Sequence, residues 1–266
     1  MRRTFAFVKR NALEMLRDPV LYIFCLGFPV VMLALFQIIN RYTAGATPMF
    51  GAKSLVPAIT VFSFSFVMLT VSLLVSKDRQ TALLVRLYTS PMRTAEYVAG
   101  YALPCFVIGV GQEIVCIFCG FIISLIVGGG YFSFGAAMLL MLAMLPALLI
   151  CIFFGIFFGS VLNDKAAPAI SSVFISASGI LGGCWMPLDA MGGFETFCRC
   201  LPFYPSVYIG RAITGATHTP TASGEAARYA FDSVAILGII PVAVFLAAGA
   251  AFAVWAFYKN VKGGKR

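Results

Sequence analysis

Charge is what this chain has least of. Only 11% of its 266 residues are Asp, Glu, Lys or Arg, and 61% are hydrophobic. Soluble domains carry about 25% charged and roughly 45–50% apolar residues, so a water-soluble globule is excluded. Histidine is nearly missing: His218 stands alone in a polar stretch beside Thr217 and Thr219. With no carboxylate cluster near it, one imidazole makes neither a metal site nor a catalytic base. The chain also lacks a phosphate-cradling loop. Such a loop ends a glycine-rich turn in Gly-Lys-Ser or Gly-Lys-Thr, whereas Gly264-Lys265 is followed by Arg266. ATP is not bound here by that device, and no cofactor is expected in the chain. Sets of serine, cysteine and acid that would suggest a membrane hydrolase are absent too, as are the short alternating segments of a barrel.

Long apolar runs are what remains. A helix needs about 20 mostly apolar residues to cross the hydrocarbon core, and six stretches qualify: 20–40, 54–76, 101–127, 135–161, 166–186 and 233–258. The sequence predicts an all-α membrane protein with six transmembrane helices in one transmembrane domain over 1–266. Gly128-Gly129-Gly130 is too flexible to continue a helix and reads as a hairpin turn. Gly155 with Gly159, and Gly179 with Gly183, have the spacing that lets membrane helices approach closely, with packing inside one subunit as the simpler use.

Positive charge sets the orientation. With both termini inside, fourteen Lys and Arg residues fall on the cytoplasmic side, among them Arg2, Arg3, Lys9, Arg10, Arg17, Lys77, Arg79, Arg86, Arg93 and Lys165. Arg41, Lys53, Arg199, Arg211 and Arg228 fall outside. That bias predicts a multi-pass protein of the cell membrane with cytoplasmic termini. It also accounts for the net charge of +9 through topology and anionic lipid, with no nucleic-acid partner. Ala44-Gly45-Ala46 resembles a cleavage site, but the apolar run before it is too long for a signal peptide and Glu14 and Asp18 precede that run. Cys116 and Cys119 have a metal or redox spacing but lie within a span without a second pair. Cys184, Cys198 and Cys200 fall near the outer face, where a disulfide from Cys184 to either of the others is open.

Residues 2–17 form an amphipathic helix within an interfacial segment 1–19. Phe5, Val8, Ala12, Met15 and Leu16 share one arc, Arg3, Arg10, Glu14 and Arg17 gather opposite, and Phe7 and Lys9 fit the pattern poorly. Asp18-Pro19 stops it. Between the second and third spans lies the most structured polar stretch of the chain, Lys77 to Gly100. Leu83, Leu84 and Leu87 share a helical face, Arg79 and Arg86 lie on another, and Ser90-Pro91 ends the helix. It reads either as a linker lying on lipid or as a peg for a partner's groove. Residues 187–232 are too apolar at first for a free loop, and predict one or two short helices dipping into the outer membrane face. Glu113 is the only acid deep within a span, at a cost of about 2.5–3.5 kcal/mol, and is expected to be paired with a group such as Gln112 or held neutral.

Several short motifs occur in a telling order: Arg17-Asp18-Pro19, Phe28-Pro29, Asp78-Arg79, Leu87, Ser90-Pro91, Glu96, Gly100, Gly182-Gly183, Pro187 and Leu201-Pro202. In this order, on a six-span frame, the chain resembles the membrane subunit of type-2 ABC exporters over nearly its whole length. That resemblance implies pairing with a second permease subunit, as homo- or heterodimer, and with an ATP-binding cassette ATPase that carries ATP and Mg2+. It implies that 77–97 holds the coupling helix, engaging the ATPase through Asp78, Arg79, Leu83, Arg86, Leu87, Ser90 and Pro91. The interfacial helix with Arg10, Glu14, Arg17, Asp18 and Pro19 lies beside it, and 187–232 is re-entrant. It also implies a substrate path along the second and fifth spans, where Phe62, Ser65, Phe66, Ser171, Phe174 and Ser178 would suit an amphipathic cargo. Asp78 stands where the family usually has glutamate, and Tyr101 where lysine is frequent. Two other readings stay open: a stand-alone ion-coupled secondary transporter using Glu113, and a membrane immunity or assembly protein that transports nothing.

Overall fold

The structure, a computed structural model, describes residues 2–43, 48–81, 93–127, 132–163, 165–218 and 228–263. They form an all-α membrane protein. Its first helix, α1 (Arg2–Leu16), is followed by α2, built of Pro19–Leu21, a π-helical Tyr22–Gly27 and Phe28–Tyr42. The π turn lies just upstream of Pro29. A proline ring crowds the carbonyl four residues before it and offers no N–H, and widening that turn relieves the clash. Four long or medium helices come next: α3 (Ala52–Gln80), α4 (Thr94–Val127), α5 (Phe134–Val161) and α6 (Ala166–Leu181). Two short ones, α7 (Gly193–Arg199) and α8 (Phe203–Thr214), precede the last, α9 (Ser233–Gly263). The turn expected at Gly128-Gly129-Gly130 lies outside the described residues.

Five of these helices are long and apolar enough to cross a membrane. The fifth expected span is the exception: α6 has 16 residues, about 24 Å at 1.5 Å per residue, less than the ~30 Å hydrocarbon core. It stops at Leu181 rather than at 186. Gly183 takes a left-handed φ of +66°, which a side chain resists, and the Cys184 N–H bonds back to the Gly179 carbonyl at 3.1 Å. Trp185 then folds over Gly179, where an added Cβ would lie 2.4 Å from the indole. The indole also packs against Phe36 and Phe62.

Helix α3 stands at the centre, packed on α2, α4, α5, α6 and α8, and is buried nearly all round. Small hydroxyl residues permit this. Thr60 and Ser63 return their hydroxyls to α3's own carbonyls at 2.8 and 2.9 Å, so these two are satisfied where neighbours close in. On α5 the Gly155–Gly159 pair faces α3 within the same chain, and a Cβ at either would lie 2.6 Å from a backbone oxygen, that of Met68 or of Ser72. Helix α8 wedges in at the other end, its Gly210 against Pro57, Met144 and Leu140.

The packed face of α1 differs from the expected one. Phe7, Asn11 and Met15 are buried, at spacing i, i+4, i+8, while Phe5 and Leu16 are exposed. In a membrane, lipid and protein both accept apolar side chains, so the most apolar arc need not be the one that packs. Phe7 is the anchor. Its ring sits edge-on to Tyr97 and Tyr101, both of which stack on Phe257, and Gly100 leaves room for it, since a Cβ there would lie 2.2 Å from the Phe7 ring.

Candidate functional site

A polar latch joins α1, the end of α3 and the start of α4. Asp78, in the last turn of α3, is 1% exposed and takes two hydrogen bonds from the Arg10 guanidinium, Nη1 to Oδ2 at 2.5 Å and Nη2 to Oδ1 at 2.8 Å. Tyr101 donates its hydroxyl to Asp78 Oδ2 at 2.8 Å. The planar fork of arginine matches a carboxylate in this way, which fixes angle as well as distance. Around this pair Arg10 also contacts Asn11 Oδ1 at 2.8 Å and Glu14 at 2.5 Å, and Lys77 reaches Glu14 at 2.9 Å. The Asp78 carboxylate holds the Arg10 guanidinium above its ordinary pKa, outweighing the opposite effect of burial. Asn11 donates to the Gly100 carbonyl at 3.1 Å, and Thr4 to Glu96 at 3.2 Å. Asp78 and Tyr101, the two positions noted above for their residue types, are thus joined by a hydrogen bond.

Arg79 does not stand free on the exposed side. Its guanidinium donates to the Ser160 carbonyl near the end of α5, where a cation suits the helix's negative end. Of the other residues expected to engage a partner ATPase, Leu83, Arg86, Leu87, Ser90 and Pro91 lie outside the described residues. Arg17, Asp18 and Pro19 are exposed at the turn from α1 to α2. They border a cleft of about 750 Å3 between α1, α2 and α3. Its lining is apolar at Leu13, Met15, Phe24 and Leu69 and carries charges of both signs, Arg10, Arg17 and Lys77 with Glu14 and Asp18.

The residues expected along a substrate path lie inside this one chain. Ser65 pairs with Ser178 across α3 and α6 at 2.7 Å, and Ser171 with Ser72 at 3.0 Å, two buried bonds that zip the helices together. Phe62 and Phe66 belong to an aromatic cluster with Phe28 and Trp185, and Phe174 packs on Phe154 and Phe203. Glu113 is fully buried, yet neither carboxylate oxygen has a hydrogen-bond partner. The expected pairing with Gln112 does not form, because Gln112 turns its amide N–H to the Ser63 carbonyl at 3.0 Å.

At the opposite end His218 does have a carboxylate beside it, contrary to expectation. Its Nδ1 lies 2.9 Å from Asp189 Oδ2, and its ring stacks on Tyr229 at 3.7 Å. Asp189, 29 residues earlier, also accepts from Tyr229 and from Tyr204 at 2.7 Å. Arg211, 1% exposed, donates to the Gly183 carbonyl at 2.8 Å and to the Tyr229 hydroxyl at 3.3 Å. This network pins the turn after α6 and the segment beyond α8 onto the bundle. All eight cysteines are free, and Cys184 donates to the Ala58 carbonyl at 3.1 Å instead of joining Cys198 or Cys200.

Burial pushes the Asp189 carboxyl up, but bonds from His218, Tyr229 and Tyr204 outweigh it and bring the pKa down to about 2. A depressed carboxylate stabilises the fold above its unfolded pKa near 3.8 and loses that contribution as pH falls toward 2. The contribution is about 2 kcal/mol. The Asp189→Asn variant is expected to unfold earlier at pH 7 and to show a shallower fall in thermal midpoint between pH 4 and pH 2 than the parent. Scanning fluorimetry in detergent reads both.

The match to a family model described as ABC-2 type transporter extends over residues 2–214, from α1 through α8. No individual curated protein matches the chain. A helical bundle with five helices long and apolar enough to cross a membrane, its first helix latched to the end of its central one, and a family match over most of its length make this chain a multi-pass membrane component of a transporter: it belongs to the ABC-2 type transporter family.

Proposed function

We propose that the chain is the permease subunit of an ATP-driven exporter, moving a hydrophobic or amphipathic compound out of the cytoplasm or the inner leaflet. In this reading both termini are cytoplasmic, as the distribution of Lys and Arg favours. ATP and Mg2+ reside on a separate ATP-binding cassette subunit, and a second permease subunit completes the path. One observation carries the proposal: Arg10, Asp78 and Tyr101 tie α1 and α4 together at the base of the segment leading into residues 82–92. A force applied to that segment therefore reaches three helices at once. The cleft, with apolar walls and charges of both signs along its lining, supports an amphipathic cargo.

The direct experiment co-expresses the chain with the ATPase encoded beside it. Co-purification and ATP-dependent efflux into vesicles are expected, and a chain that stays alone in mild detergent with no such ATPase would sink the proposal. Arg86→Glu is expected to cut ATPase binding or coupled hydrolysis about tenfold by reversing a charge on the docking face, with the thermal midpoint unchanged. Arg79→Glu should lower both coupling and midpoint, since it also loses the bond to Ser160. Unchanged coupling in Arg86→Glu would return the segment to a lipid-lying linker. The unpartnered Glu113 favours one rival, an ion-coupled carrier. Gradient-driven transport by the purified chain, indifferent to ATP and lost in Glu113→Gln, would establish that rival.

A further inference from the structure

The end of the bundle opposite the latch holds a second cavity, of about 330 Å3, between the last turns of α2 and α4, the first turn of α3 and the turn after α8. Its charged walls are Lys53 and Arg228, both cations, and among the described residues no acid lines it. Helix α3 starts here at Gly51, which offers no side-chain cap, so the positive end of a 29-residue helix opens on the cavity. Ser54, also on the wall, is 2% exposed and its hydroxyl has no hydrogen-bond partner. A buried hydroxyl left unpaired costs about 1–3 kcal/mol, which an acceptor entering the cavity would relieve. Asn40, on the facing wall, keeps a buried amide oxygen without a donor. The cavity thus combines two cations, a helix N-terminus, a spare O–H donor and one spare acceptor.

We propose that this cavity binds a phosphate ester. Lys53 and Arg228 pair with its oxygens, Ser54 Oγ donates to one of them, and Asn40 accepts from a hydroxyl next to the phosphate. Ile38, Leu125 and Ile126, close to the cavity in sequence, are exposed and apolar, which suits acyl chains descending beside a glycerophospholipid headgroup. A soluble phosphate ester offers the same chemistry without those chains. The proposal stands apart from the direction of transport and from the identity of the ATPase.

The test uses the full chain in neutral detergent with fluorescent phosphatidylglycerol, with the matching diacylglycerol as the phosphate-free probe and glycerol 3-phosphate as the soluble competitor. Phosphatidylglycerol is expected to bind, and Lys53→Gln with Arg228→Gln to weaken it about tenfold. Ser54→Ala should weaken it severalfold, and the charge-keeping pair Lys53→Arg with Arg228→Lys should bind as the parent does. An equal loss of charge far from the cavity, at the exposed Lys165 and Lys259 as Lys165→Gln with Lys259→Gln, should leave binding unchanged. Displacement by glycerol 3-phosphate assigns the site to a soluble ester, and failure to displace assigns it to lipid; either outcome supports a phosphate site. Equal losses in the two charge-removing pairs, or diacylglycerol binding as well as phosphatidylglycerol, would overturn it.

Discussion

Arg10→Met is expected to destabilise the chain by about 3 kcal/mol and to abolish transport coupling, because it leaves the Asp78 carboxylate buried without its counter-charge. Breaking a buried pair by removing one partner costs about 3–5 kcal/mol. The lower end applies here, since Tyr101 still donates to Asp78 and Arg10 keeps 37% of its side chain in solvent. Asp78→Asn should cost less than Arg10→Met, for it removes the charge and leaves Arg10 with Glu14 at 2.5 Å. The combination Arg10→Met with Asp78→Leu should be milder than the sum of the single changes, as neither partner then remains stranded. Thermal unfolding in detergent gives the stability cycle. ATP-dependent flux gives the other readout, and it should stay low even in the double variant if the latch serves coupling. Full flux in that variant would leave Arg10 and Asp78 a structural role alone.

Gly159→Val is expected to prevent the bundle from closing. The new Cβ would lie 2.6 Å from the Ser72 carbonyl oxygen, 2.8 Å from Val75 Cβ and 3.0 Å from Ser72 Cα. Two of these atoms belong to the backbone of a helix that is itself packed on five others, so none can step aside. Overpacking costs about 1–3 kcal/mol where side chains can rearrange, and more is expected here. Gly155→Val meets the Met68 carbonyl oxygen at the same distance and should fail similarly. Gly111→Ala is the control: nothing lies within 4 Å of its Cβ position, and the variant should behave as the parent. The fraction of monodisperse protein on size exclusion separates the three.

Some of this was legible in the sequence and some was not, for definite reasons. Long apolar runs announce membrane helices because hydropathy is summed over a whole span and tolerates local exceptions. The stop of α6 at Leu181 was hidden because Cys184, Trp185 and Met186 are as apolar as the helix before them; the signal was Gly182-Gly183, counted among the family's motifs and not as a helix end. The docking face of α1 escaped because apolarity does not distinguish lipid from protein, and the deciding residue, Asn11, is polar. Its position four residues after Phe7 and four before Met15 was the clue available. Contacts such as Arg10 to Asp78 and His218 to Asp189 join residues 68 and 29 positions apart. No local spacing encodes such pairs, so the tertiary path of the chain had to be known first. Arg211 reads as an exposed outer cation by hydropathy, but it is buried because three acceptors around it replace water: the Gly183 and Ser54 carbonyls and the Tyr229 hydroxyl.

Helix α3 has one property that ties the two ends of the molecule together. It contains no glycine over Ala52–Gln80 and a single proline, Pro57, so it is a stiff strut of about 43 Å at 1.5 Å per residue. The latch aspartate sits near one tip and the phosphate-seeking Lys53 and Ser54 at the other. Between Pro57 and Asp78 nothing in the sequence offers a joint, and Pro57 is itself gripped by Gly210 of α8. A displacement of Asp78 is therefore expected to move the first turn of α3 as well. There the fulcrum is Pro57, and the short arm beyond it is the wall of the cavity.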